Sequence, residues 1–582
     1  MIGKDETSAQ TSWRKRGPDL LFWALFACLS LLNLWPFWVM HWLAGTDTGG
    51  HIELMDIAGR LHDAHTAYGE TYYLSSWMAP NTLGVRLSQA LHPWVSSMTL
   101  ARLMLSFYVV GVPLGCLAMV RAFDRSRWLV LLSFPLVFNF TLAMGFFNYV
   151  VAAPLLFFVV ALTRRFAERG GWRRGAGVVA LLWLTFFTHA LMFMVALGMC
   201  AFVLLVSARP RRRLLQGVGL LSLGTTFCVV WLVMKIGWLG SEAGLMHHAT
   251  PGTTWPNPEH LLTKLPGRLV DFVRGPTDDA LFLGLVAVWA LLLRASPPRP
   301  EDAEPAPLGF RLRLGRDALP WMAFLVWVAF FTLPSHVMGI SLVSERFGSL
   351  ALLLALLTPR VRLDGYWTRG LLAAGVVLSM AWVGVVDHAL IHFDAYTAQP
   401  LARELGKLPE GSSIGYALAN DLPTRLAQPQ TRHLVKEIHT VLNGGVTDDS
   451  FAWRSTSPVQ YRSGRAPPRP FGRFWTRKTQ FRRYDFIVYS GRVPPPHNSL
   501  RGFVRERWHS GPWWLYEVLH PEPPSAVRRP ADAGHQGQAV PAPALDSPVR
   551  ALRFRLGQSP TTNMANRPQP SSHDAGTSSM GR

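Results

Sequence analysis

Cysteine is scarce. Four occur in 582 residues, and Cys28, Cys116, Cys200 and Cys228 all fall inside apolar runs. None is paired at a spacing that suits a disulfide framework or a cysteine metal site, so each reads as a small buried hydrophobe. Charge is scarce too. Asp, Glu, Lys and Arg make up 16% of the chain, against about a quarter in soluble proteins. The deficit is local, because long windows carry no charge at all. That pattern marks lipid-facing helices, since a charge at mid-bilayer costs roughly 2.5–3.5 kcal/mol on insertion scales. Lysine supplies only 7 of the 57 basic residues, a bias that accompanies GC-rich bacterial codon usage. No internal repeat is visible.

The net charge of +21 does not point to nucleic acid. The basic residues punctuate the apolar runs, as cytoplasmic loops do, and no nucleic-acid motif accompanies them.

Arg14, Lys15 and Arg16 precede an uncharged run from Leu20 to Thr46. The run is too long for a signal-peptide core and has no small-residue cleavage site, so it reads as an uncleaved anchor with residues 1–18 in the cytoplasm. Further uncharged windows cover 103–120, 128–163, 175–208, 214–234, 280–293, 318–344, 347–359 and 370–386. As one helix, 128–163 would be roughly 54 Å long, against a hydrocarbon core of about 30 Å. Arginines flank it on both sides, so a hairpin with its turn near Gly145–Asn148 keeps both basic clusters inside. The same argument makes 175–208 a hairpin turning near Thr188–His189. The count is then about eleven spans over residues 19–392. Segments 47–97 and 236–278 are the large outside loops.

From about 393 the composition becomes that of a soluble domain. Residues 399–409 read as a helix, and Ile414–Leu418, Phe486–Ser490 and Trp514–Val518 as strands bounded by turn residues. The expected fold is mostly α: a polytopic membrane helix bundle with a small C-terminal extracytoplasmic α/β domain over 393–520. Residues 521–582 are rich in Pro, Ala, Gly, Ser and Arg and read as a disordered tail. The soluble domain shows no nucleophile elbow, phosphate loop or zinc spacing. Its Tyr461–Gly464 and Arg465–Phe474 stretches are basic and aromatic, suited to glycan, anionic lipid or solvent.

The segment after the first span runs from Asp47 through Gly49, Gly50, His51, Glu53 and Asp56 to Leu61. Apolar residues at 52, 54, 55, 57, 58 and 61 suit an amphipathic helix at the membrane surface. Asp47 stands at its N-terminus, either as a helix cap or as a general base at the membrane boundary. Glu53 and Asp56 either share that work, bind a divalent cation, or form the solvated face. The topology brings Asp47, His51, Asn148, His189, His336, Glu345 and Arg346 to the same outer boundary, where polar residues often mark function. Arg346 offers a bidentate fork for a phosphate, with Arg86, Lys235 and Arg268 in reserve; its bland reading is a salt bridge or helix-end anchor. His189 is otherwise a packing residue at a hairpin tip. His247 and His248 are adjacent and diverge, which speaks against a metal site. Trp35, Trp38, Trp42, Trp77 and Trp94 suit an interfacial belt or sugar stacking.

A basic N-terminus, one span, an Asp just after it and an amphipathic helix resemble the start of GT-C-type glycosyltransferases. Gly145–Tyr149, Thr188–His189 and Ser344–Phe347 resemble segments of bacterial membrane proteins grouped with that superfamily. The resemblance implies a polyprenyl-phosphate sugar donor held in the membrane lipid, and transfer to a glycan, lipid or protein acceptor of the cell envelope. The location implied is the bacterial inner membrane. Asp47 matches the position of the superfamily's acidic residue in the first outside loop and is the expected catalytic base; His51, Glu53, Asp56, His189, Glu345 and Arg346 are expected around the substrates. The residue beside Asp47 is not the second acidic residue of many members, so a divalent cation stays open. The competing functions are a glycolipid transporter or flippase, which should show inverted repeats and paired mid-membrane charges, and a non-catalytic envelope assembly protein.

Overall fold

The computed structural model describes residues 5–519, except 76–77, 240–252, 257–258, 260–261, 263–264, 298–313, 316, 338–339, 419–423, 429–431, 449, 455, 468–480, 492–493 and 496–501. The 521–582 tail, His247, His248, Trp77 and most of Arg465–Phe474 lie outside the described residues, as does the side chain of Lys235.

Most of the chain is helical. Each of the nine apolar runs contains helical structure, but the helices are of unequal length. Five helices are long and apolar enough to cross a membrane among the described residues, or six if the bent pair Arg211–Gly224 and Thr226–Met234 is one crossing. The chain therefore has the helices of a membrane protein. The count of eleven needs shorter elements as well: Trp172–Thr188 has 17 residues, Ala318–Thr332 has 15 and Arg346–Leu356 has 11.

Both apolar runs that were too long for one helix are broken near the expected turns. In 128–163 a 3-10 stretch, Arg127–Val137, precedes the long Phe147–Arg169 helix. Pro135 lies in that stretch, where its missing N–H and ring disfavour regular helix. Asn139 ends it, accepting from Thr141 N and Leu142 N at 2.9 and 3.1 Å and so starting a short turn of helix. In 175–208 the chain breaks at His189, whose backbone is extended and whose Nδ1 accepts from Met192 N at 3.3 Å. His189 thus caps the Ala190–Ser207 helix.

The last apolar helix, Tyr366–Phe393, runs through a π-helical segment, Asp394–Ala398, into Gln399–Leu405. This carries the chain into a five-stranded sheet. Ser413–Leu418 lies between Val446–Thr447 and Phe486–Ser490, parallel to both. Trp513–Val518 then pairs antiparallel with Phe486–Ser490 and with the edge strand Val504–Ser510. Phe486–Ser490 is buried along its whole length, as a central strand should be. A helix not foreseen from the sequence, Arg432–Asn443, connects the two parallel strands Ser413–Leu418 and Val446–Thr447.

The Thr48–Gly59 helix is the joint between the apolar bundle and the sheet. It is not a surface helix with a solvated face. Ten of its twelve residues are buried, Glu53 and Asp56 among them, because Leu83–Leu91, Ser97–Ala122 and Arg432–Asn443 all pack against it. Gly49 makes the last of these approaches possible: a Cβ there would stand 2.4 Å from the His433 carbonyl oxygen. A second join is strand pairing of Tyr72–Leu74 with Val459–Tyr461.

Candidate active site

Asp47 is held by backbone contacts before its side chain does anything. Thr46 N and Asp47 N donate to the Ala143 and Met144 carbonyls, each at 3.1 Å. The chain passes so close that a Cβ on Gly145, which has φ +69°, would lie 2.5 Å from Asp47 N. Upstream, Arg102 Nη2 donates to the Met40 and His41 carbonyls at 2.8 and 3.0 Å. Asp394 accepts from His41 N and Trp42 N, both at 2.9 Å. Residues 40–47 are therefore fixed from three parts of the fold, and the Asp47 carboxylate has a set position.

Asp47 occupies the N-cap position but makes no side-chain cap hydrogen bond. Its Oδ1 instead lies 3.5 Å from His433 Nε2. It also faces a cavity of about 390 Å³. Leu54, Val85, Phe146, Phe147, Leu191 and Val343 give this cavity apolar walls, and Asp47, His51, Asn81, Asn148, His189, Arg346 and Arg454 supply its polar groups. A mostly apolar cleft with a few convergent polar groups is the usual form of a small-molecule site.

Arg346 begins the Arg346–Leu356 helix. Its guanidinium lies 4.0 Å from the centre of the Phe146 ring, and its Nη2 donates to the Ser341 carbonyl at 3.3 Å. Its Nη1 is 3.5 Å from His189 Nε2. The buried Nε has no hydrogen-bond partner among the described residues, and no carboxylate lies within ion-pair distance of this arginine there. Tyr149 anchors the backbone at this point, donating to the Arg346 carbonyl at 2.6 Å.

Burial holds both cavity histidines uncharged. The His51 ring is pushed down to about 3, first by desolvation and then by the charges of Arg454 and Arg346. Burial, with Arg346 and His51 adding to it, pushes His189 well below the usual histidine range. Since His189 Nδ1 accepts the cap bond, the proton of its neutral ring sits on Nε2, beside Arg346. His51 lies between two rings, 5.8 Å from Phe147 and 5.2 Å from Phe451.

Asp47, His51, Asn148, His189 and Arg346 thus share one cavity, although up to 299 positions separate them. The other candidates stand elsewhere. Glu53 accepts from Thr447 Oγ1 at 2.9 Å. Asp56 accepts from Ser97 Oγ at 2.8 Å and Tyr68 Oη at 3.1 Å, with Arg60 at 3.4 Å. Burial raises the Asp56 carboxyl, against the pull of Arg60 and these hydroxyls. Glu53 thus belongs to the joint with the C-terminal part, whereas Asp56 is bonded within the N-terminal part. Glu345 is buried and accepts from Ser335 and Ser344 at 2.7 and 3.0 Å, and His336 is exposed in a short hairpin. Arg86 donates to the Ser75 carbonyl at 2.7 Å, and Arg268 lies over the Phe140 ring. Of the tryptophans, Trp35, Trp38 and Trp94 are exposed and Trp42 is buried. Among the described residues no group of three or more His, Cys, Asp or Glu side chains could hold a metal ion.

The sequence did not single out His433, Phe451 and Arg454. The Phe451 ring lies 4.8 Å from that of His433 and 4.5 Å beneath the Arg454 guanidinium. A Cβ on Gly50 would meet it at 2.7 Å. The apolar spacing of Leu434, Val435, Ile438, Val441 and Leu442 signals the Arg432–Asn443 helix, but no local pattern tells which helix it meets.

No family model and no curated protein matches the chain. Among solved structures it is similar to ArnT from Cupriavidus metallidurans bound to undecaprenyl phosphate, with 15% identity, a TM-score of 0.47, and coverage of 86% of this chain and 98% of that one. It is also similar to the arabinofuranosyltransferase AftD from Mycobacteria, with 14% identity, a TM-score of 0.45, and coverage of 85% of this chain and 40% of that one. An oligosaccharyltransferase from Archaeoglobus fulgidus gives 10% identity, a TM-score of 0.41, and coverage of 80% and 68%.

Proposed function

We propose that this chain is a membrane glycosyltransferase that moves a sugar from a polyprenyl-phosphate donor to a hydroxyl acceptor in the cell envelope. The reading places it in the bacterial inner membrane, with the sheet and the cavity mouth on the extracytoplasmic side. The observation that carries it is the pairing of Asp47 and Arg346 on one largely apolar cavity, with Arg346 lacking a carboxylate partner among the described residues. Such an arginine suits an anionic ligand that brings its own counter-charge.

In this mechanism the acceptor oxygen attacks the anomeric carbon. Its proton passes to Asp47. The bond from that carbon to the phosphate oxygen breaks, and the electron pair leaves with the phosphate. Arg346 binds the phosphate and stabilises the charge that grows on it. Neutral His189 can donate from Nε2 to the same group. Glu53, Asp56 and Glu345 play no part in the chemistry, being committed to their own hydrogen bonds.

The test is turnover of a panel of labelled polyprenyl-phosphate sugars by the purified protein in nanodiscs, with envelope glycan and lipid extract as acceptor. Turnover by wild type that Asp47→Asn lacks supports the reading. A folded wild type inert toward every donor counts against it.

A further inference from the structure

Among the described residues, Arg454 is the one cation that the C-terminal part of the chain brings to the cavity lining. It follows the Phe451–Trp453 turn, and its guanidinium rests over Phe451. Phe451 in turn is seated against Gly50, so the joint that fixes the Asp47 segment also sets Arg454 at the cavity mouth. The side chain is exposed, and among the described residues no carboxylate pairs with it. Its charge reaches both His51 and Arg346.

Among the described residues, two guanidinium groups therefore face a cavity whose single lining carboxylate is Asp47. Like charges in a low-dielectric cleft repel strongly unless an anion lies between them. The donor set also runs against a divalent cation. Magnesium and calcium need several oxygen ligands, whereas Glu53, Asp56 and Glu345 are turned away and already hydrogen-bonded. The two fixed positive charges oppose a third.

We propose that Arg454 is the second phosphate-binding cation of this cavity, and that Arg346 and Arg454 together do the work of a divalent metal ion. The proposal rests on the polyprenyl-phosphate reading. The donor is a phosphodiester with one negative charge. When its bond to the sugar breaks, the phosphate becomes a monoester whose second ionisation lies near pH 6, so it carries close to two charges at neutral pH. A second guanidinium at the mouth favours that more highly charged state over the diester. It therefore contributes more to the transition state than to donor binding. Arg454 would also hold the polyprenyl phosphate product and slow its release.

The experiment measures binding of labelled undecaprenyl phosphate to the full chain in nanodiscs, with and without EDTA, beside a polyprenyl phosphodiester. Arg454→Ala and Arg454→Lys are compared with wild type. Arg454 is exposed, so neither change should disturb the fold, and a thermal melt checks this. The expected result is binding unaffected by EDTA. Arg454→Ala should weaken the monoester about tenfold, weaken the diester less, and be partly rescued by lysine. Equal binding of the monoester by wild type and Arg454→Ala overturns the role of Arg454 and leaves the glycosyltransferase reading standing. Binding abolished by EDTA overturns the metal-free site. A wild type that binds neither lipid removes the reading on which the proposal rests.

Discussion

Asp47 Oδ1 and His433 Nε2 stand 3.5 Å apart across the joint between the apolar bundle and the C-terminal sheet. Asp47 comes from the segment just after the first long helix, and His433 from a helix nearly four hundred residues later. The candidate base therefore has its position set by both parts of the chain.

Replacing Gly49 tests that joint. Gly49→Ala puts a methyl group 2.4 Å from the His433 carbonyl oxygen, so the helices must separate. A loss of about 1–3 kcal/mol is expected, read as a lower melting temperature and faster proteolysis between the two parts. Gly198→Ala, where a Cβ would meet nothing within 4 Å, is the control and should be neutral.

Asp394 tests the upstream clamp. Asp394→Ala leaves the His41 and Trp42 amides without their acceptor. The orphaned buried Trp42 donor costs about 1–3 kcal/mol and the part-buried His41 donor less, so the melting temperature should fall. Asp394→Asn keeps an acceptor oxygen and should recover part of the loss.

Two buried groups give opposite pH signs. The lowered pKa of His51 means the unfolded chain takes up a proton that the folded chain refuses. The resulting stability is present above about pH 6.5 and is lost as pH falls below it. Glu437 is raised well above the usual carboxyl range by burial. Its contribution is present below about pH 4.5 and is lost as pH rises. His51→Gln should flatten the acid side of a melting profile, and Glu437→Gln the neutral and alkaline side. Unchanged profiles would mean that neither group is as desolvated as the fold implies.

The hydrophobic pattern and basic flanks were enough to read where the long apolar runs break. Run lengths of 128–163 and 175–208 cannot fit one crossing, and the chain does interrupt itself at Asn139–Phe146 and at His189. Alternation and turn residues located the Ser413–Leu418, Phe486–Ser490 and Trp513–Val518 strands. The Thr48–Gly59 helix was legible as a helix, but its environment was not. Polar residues at 53 and 56 look solvated in one dimension. Tertiary packing buries them, and the contact with Arg432–Asn443 depends on Gly49 and Gly50 meeting a segment some 380 positions away. Phe451 and Arg454 were invisible for the same reason, as they reach the cavity through tertiary packing alone.

Asp47→Asn bears on the central claim most directly. The exchange keeps shape and removes basicity, so the fold should melt as wild type does. Transfer of sugar from a labelled polyprenyl-phosphate donor should fall by about 10²–10⁴-fold, the usual contribution of a general base. Mass spectrometry should show polyprenyl phosphate released by wild type alone. A folded Asp47→Asn protein that transfers sugar at the wild-type rate would contradict the account.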